Sequence, residues 1–138
     1  MRYTVPEDIG SELRLLEGVA TAAIEKLIYG KSSTGNPKLT VKYIITEDMD
    51  TIPDGDPSAI GDTVLETYSL QPQAMWKLND IYKLCVGERI PQGDFSQEEF
   101  EQMLGEALIG KTFSLVLQLS TDQNGKERTD VTDKAFIE

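Results

Sequence analysis

Four lysines and a pair of tyrosines form the one group in this sequence with a clear chemical theme. Lys26, Lys31, Lys38 and Lys42 fall within residues 26–46, a stretch without a single acid. Tyr29 and Tyr43 lie among them. Cations along a path with rings beside it suit a single-stranded nucleic acid, because phosphates attract charge and every base has a π-face. The same lysines also fit an ordinary solvated hairpin, where lysine guards a strand edge against aggregation. Tyr68 offers another ring near a strand end, and Lys111, Lys126 and Arg128 extend the basic set. The candidate nucleic-acid-binding residues are therefore Lys26, Tyr29, Lys31, Lys38, Lys42, Tyr68, Lys111, Lys126 and Arg128.

Other chemistries find little to work with. The chain has no histidine and one cysteine, so His-based triads, proton relays and zinc sites are excluded. Cys85 falls on an apolar helical stripe and reads as a small buried hydrophobe rather than a nucleophile. Asp48, Asp50, Asp54 and Asp56 are clustered, but Thr51-Ile52-Pro53 breaks the spacing of an EF-hand calcium loop. No metal and no cofactor is expected, and an enzyme is the least favoured class.

The chain has 138 residues and a formal net charge of −11, unevenly spread. Residues 47–62 carry six acids and no base, and residues 94–106 carry five acids and no base. Net negative charge repels nucleic acid at long range, but a locally basic groove still tracks phosphates. No apolar run approaches the roughly 18 residues of a spanning helix, and residues 1–6 lack the apolar core of a secretory leader. No membrane partner is expected.

The elements that must position these residues are mostly strands. Residues 1–17 read as an N-terminal arm, either loose or with a short helix opening at Pro6. Residues 18–29 read as a strand ending in the turn-rich Gly30-Lys31-Ser32-Ser33-Thr34-Gly35-Asn36-Pro37. Residues 38–46 alternate, with Leu39, Val41, Tyr43 and Ile45 on one face and Thr40, Lys42 and Ile44 on the other. This places Tyr43 with the core and points Lys42 outward. Residues 47–62 form a long acidic connection, either functional or mobile. Thr63–Tyr68 read as a third strand.

At Pro72 the period becomes helical. Ala74, Leu78, Ile81 and Cys85 make the stripe, and Gly87 supplies the stop. Trp76 lies off that stripe and reads as core or interface. Ser96 and Glu99 predict a capping box, with Phe95 and Phe100 as the hydrophobic staple of a second helix. Residues 113–119 alternate again, with Phe113, Leu115, Leu117 and Leu119 on one face. Asn124-Gly125 predicts a two-residue hairpin turn into a last strand over 129–137. The expected fold is mainly β: a five-stranded OB-like β-barrel over residues 18–138, with one or two helices between strands 3 and 4.

In order and spacing, several pieces resemble a group of small bacteriophage single-stranded-DNA-binding proteins. They are Leu16-Glu17-Gly18, Gly30 to Leu39, Tyr68-Ser69-Leu70-Gln71-Pro72-Gln73-Ala74-Met75-Trp76-Lys77-Leu78, and Leu108-Ile109-Gly110-Lys111-Thr112-Phe113. The resemblance covers residues 16 to 136. It implies an OB fold, single-stranded DNA as partner, a role in phage DNA replication, recombination or repair in the host cell cytoplasm, contacts with replication or recombination proteins, and a homo-oligomer. The competing expectation comes from the two acidic stretches: an acidic interaction protein, such as a DNA-mimic inhibitor, that binds a host protein and not DNA.

Overall fold

Alternating apolar side chains build the sheet. The structure is a computed structural model that describes residues 2–3 and 13–138. Its strands are β1 (Gly18–Lys31), β2 (Pro37–Ile45), β3 (Thr63–Ser69), β4 (Thr112–Thr121) and β5 (Glu127–Ile137). They form one antiparallel sheet in the order β3-β2-β1-β4-β5. A short 3-10 turn (Pro72–Ala74) leads into α1 (Trp76–Val86), and α2 (Gln97–Leu108) follows before β4.

The 14-residue strand β1 organises the sheet. Its first half pairs with β4 and its second half with β2, and Ala22 and Ala23 pair on both sides. This curls the sheet until β3 and β5 approach each other. They share no backbone ladder, so the expected mainly-β, OB-like fold is an open five-stranded sheet and not a closed barrel. Side chains bridge the gap instead. Lys134 Nζ on β5 lies 2.9 Å from Glu66 Oε2 on β3. The hydroxyls of Tyr43 and Tyr68 donate to Glu66 Oε1 at 2.8 and 2.6 Å.

Inside the curl, Leu39, Val41, Tyr43 and Ile45 of β2 meet Phe113, Leu115 and Leu117 of β4, all buried. Leu119, expected on that same face, is exposed at the strand's far end. Leu78, Ile81 and Tyr82 of α1 and Leu104, Ala107 and Leu108 of α2 complete the core. Trp76 is 61% exposed, so it is not a core residue. The α2 cap forms as its sequence predicts: Glu99 N–H donates to Ser96 Oγ at 3.1 Å, and Ser96 N–H to Glu99 Oε1 at 3.2 Å. The staple rings Phe95 and Phe100 lie 6.3 Å apart. Gly87 ends α1 at φ 87°, a left-handed conformation that glycine adopts without strain.

The two hairpin turns are built alike. Gly35 N–H donates to the Ser32 carbonyl, and Gly125 N–H to the Asp122 carbonyl. Each glycine sits near φ 80–85°. The Asn124-Gly125 turn is thus longer than the two-residue hairpin expected, because residues 122–126 all lie outside the strands. Asp122 Oδ1 accepts both the Asn124 and the Lys126 amides, which stabilises the wider turn.

The acidic connection is tied to the sheet. Met49 and Ala59 are buried in the core, and Thr51 Oγ1 donates to the Glu17 carbonyl at 2.6 Å. Residues 13–17, read from sequence as part of an arm, lie against the domain. Leu16 is buried and its amide donates to Thr129 Oγ1, while Arg14 pairs with Asp62 at 3.1 Å. Residues 4–12, where the short helix was expected to begin, lie outside the described residues. Among the described residues no helix is long and apolar enough to cross a membrane.

Candidate nucleic-acid interface

One extra residue in β1 decides which side chains share the candidate face. Ile24 pairs with Tyr43, and the next pair is Lys26 with Lys42, so Glu25 is a bulge. From there on the parity of β1 reverses. Leu27 and Tyr29 turn inward and pack against the core. Lys26 and Ile28 turn outward, opposite the outward Lys42 and Thr40 of β2.

The outer face of β1–β2–β3 therefore has three rows. Lys26, Lys42 and Leu65 form one, Ile28, Thr40 and Thr67 the next, and Gly30, Lys38 and Ser69 the third. Thr40 and Thr67 hydroxyls lie 3.4 Å apart. Lys31, paired with Pro37 at the hairpin end, has the parity of Leu27 and Tyr29 and so falls on the opposite side of the sheet from Lys38. The Glu25 carboxylate stands 3.9 Å from Lys42 Nζ. Lys26, Lys31, Lys38 and Lys42 are thus brought together on one hairpin.

The remaining candidates go elsewhere. Tyr29 does not offer a stacking face. Its hydroxyl is buried without a hydrogen-bond partner, and burial, with the Glu101 carboxylate of α2 second, pushes it up to about 12. The bulge is the cause: without it Tyr29 would point outward. Tyr68 is only 3% exposed, with Lys134 Nζ 5.7 Å from its ring centroid, so it too is no stacking platform. Its place in the strand explains this, since Val64, Glu66 and Tyr68 alternate onto the inner face. Burial first and then the Glu66 carboxylate hold the Tyr43 hydroxyl protonated far above the usual range, and burial, then the Tyr43 phenol and the Glu66 carboxylate, do the same for Tyr68.

Lys111 stands just before β4, where its carbonyl accepts from the Ile24 amide at 2.9 Å, and its charge acts on Cys85. Burial pushes the Cys85 thiol up to about 11, against the opposing pull of the Lys111 ammonium. Lys126 and Arg128 line an open groove of about 1210 Å³ between β3 and β5. That groove is lined by five basic and five acidic side chains, so it is not a cationic path. Arg128 in particular pairs with Asp130 at 3.1 Å.

Sequence reasoning missed the Glu66–Lys134 bridge. A signal for it exists: an acid at an inward position between Val64 and Tyr68 must find partners, because burying a lone carboxylate is costly. The outward hydroxyls of Thr40, Thr67 and Ser69 were also missed, since each is unremarkable until three strands are set in register.

No protein-family model matches the chain, and no curated protein matches its sequence.

Proposed function

We propose that this protein binds single-stranded nucleic acid on the outer face of β1–β2–β3, without covalent chemistry. The observation that carries the reading is the register that sets Lys26 opposite Lys42, with Lys38 on the same face. A polyanion lying along this face meets the three lysines in one patch, where phosphates gain from each cation. The strands and the adjoining β1–β2 turn are those an OB-like fold uses for oligonucleotides. The resemblance to phage single-strand binders extends the reading to phage DNA replication, recombination or repair.

The rival is an acidic protein-interaction or DNA-mimic surface, supported by the exposure of Glu47, Asp50, Asp54 and Asp56. Other acids of those stretches are already engaged within the fold: Asp48 by backbone amides, Asp62 by Arg14 and Glu99 by the α2 cap.

Fluorescence anisotropy with a labelled oligo-dT of about 30 nucleotides tests the reading. Three to four lysine–phosphate contacts predict that affinity falls roughly 20- to 50-fold between about 50 mM and about 200 mM salt. The Lys38→Glu/Lys42→Glu variant should lose binding while keeping the wild-type circular dichroism spectrum. No binding at the lower salt would overturn the proposal and turn attention to the acidic surface.

A further inference from the structure

We infer that the site reads the sugar–phosphate backbone of its ligand and not the bases. The inference rests on the binding proposed above and names what that face recognises. All ten aromatic side chains of the chain can be located. Tyr43, Tyr68, Tyr82 and Phe113 are buried, and Tyr29, Phe100 and Phe136 pack against the core. Tyr3, Trp76 and Phe95 are exposed, but none belongs to a strand. The outer face of β1–β2–β3 thus carries no ring on which a base could stack.

What it does carry suits the backbone. Lysines stand at both ends of a patch about 13 Å long, four residues of strand from Lys38 to Lys42. Between them are the hydroxyls of Thr40 and Thr67, groups that bond phosphate and sugar oxygens. Ile28 and Leu65, 41% and 39% exposed, give aliphatic surface to lie against sugars. Charge and hydroxyls read a repeating phosphodiester, whereas base recognition in single-strand binders depends on stacking. Binding should therefore be nearly blind to whether a base is present.

The test compares wild-type affinity for labelled oligo-dT with that for an abasic deoxyribose-phosphate strand of equal length, each over a salt series. The expected result is affinities within about threefold of each other and a common log–log salt slope of roughly −2 to −3. Trp76→Ala should leave both affinities unchanged, because that ring belongs to α1 and not to the three strands of the face. A preference for oligo-dT beyond about threefold, or a loss of oligo-dT binding in Trp76→Ala, would overturn the backbone inference and leave the binding proposal standing. Failure of both ligands to bind at low salt would overturn both.

Discussion

Lys26 and Lys42 stand directly opposite each other on β1 and β2, although Lys42 also has the Glu25 carboxylate 3.9 Å away. The bulge at Glu25 produces both relationships. It moves Lys26 onto the outer face and leaves the bulged residue beside the lysine of the partner strand. Glu25 thus supplies local compensation in the absence of a polyanion and competes with any phosphate that approaches Lys42.

Replacing that carboxylate should strengthen binding. Glu25→Gln is expected to raise oligo-dT affinity severalfold at low salt, because it frees Lys42 and adds one net positive charge to the face. The pair is partly exposed and its atoms stand 3.9 Å apart, so stability should change by less than about 1 kcal/mol in urea denaturation. Unchanged or weaker binding would place the ligand somewhere other than the β1–β2 hairpin.

The β3–β5 seam makes a second prediction. Lys134→Met leaves the Glu66 carboxylate with two phenol donors and no counter-charge. A largely buried carboxylate deprived of its cation should lower unfolding free energy by about 2 kcal/mol. The double variant Glu66→Leu/Lys134→Met removes both charges and should recover part of that loss. Urea denaturation of the four proteins in the cycle measures it. A single-variant loss near zero would show that the seam does not depend on the pair.

Gly18 sits where the acidic connection crosses β1. Its φ is 119°, and a Cβ built there would lie 2.6 Å from Thr51 Cγ2. The Thr51 side chain is not free to retreat without breaking its bond to the Glu17 carbonyl. Gly18→Ala should therefore cost about 1–3 kcal/mol. It should also make residues 47–62 more susceptible to limited proteolysis than in the wild type. Wild-type stability and wild-type cleavage rates would contradict the tie between Thr51 and β1.

Asp48 gives the acid limb of stability a specific contributor. The Ser58 hydroxyl, then the Ala59 amide, hold its carboxyl below the usual carboxylate range. A carboxyl lowered in the folded state binds fewer protons there than when unfolded. Its contribution is thus present above the ordinary value of about 4 and is lost as pH falls through the lowered folded value. Asp48→Asn should be less stable than wild type at neutral pH, and the gap should narrow on acidification below that ordinary value. A gap constant from neutral pH to pH 3 would remove Asp48 from the acid response; the chemical-denaturation midpoint is the readout.

Much of the architecture was legible wherever neighbours a few residues apart decide the outcome. The alternation of Leu39, Val41, Tyr43 and Ile45 requires only that one face of β2 be buried. Ser96, Glu99, Phe95 and Phe100 cap α2 through contacts within its first turn, and Gly87 stops α1 because its backbone must turn left-handed there. The succession of three strands, two helices and two strands along the chain followed from the number and spacing of such segments.

The face that matters was less legible, because parity in β1 is not a local property. Leu27 and Tyr29 on one side and Ile28 on the other are all apolar enough to face a core. Only pairing with both β2 and β4 forces the bulge at Glu25 that chooses between them. That choice buries Tyr29 and turns Lys26 toward Lys42. Tyr68 and Glu66 were settled in the same way, by the curl of the sheet that brings Lys134 across from β5. The sequence by itself determined where the strands and helices lie and that the lysines share a hairpin. Tertiary structure alone decided that the rings leave the face and the cations stay, because a one-residue shift in register carries every later side chain to the opposite side of the sheet.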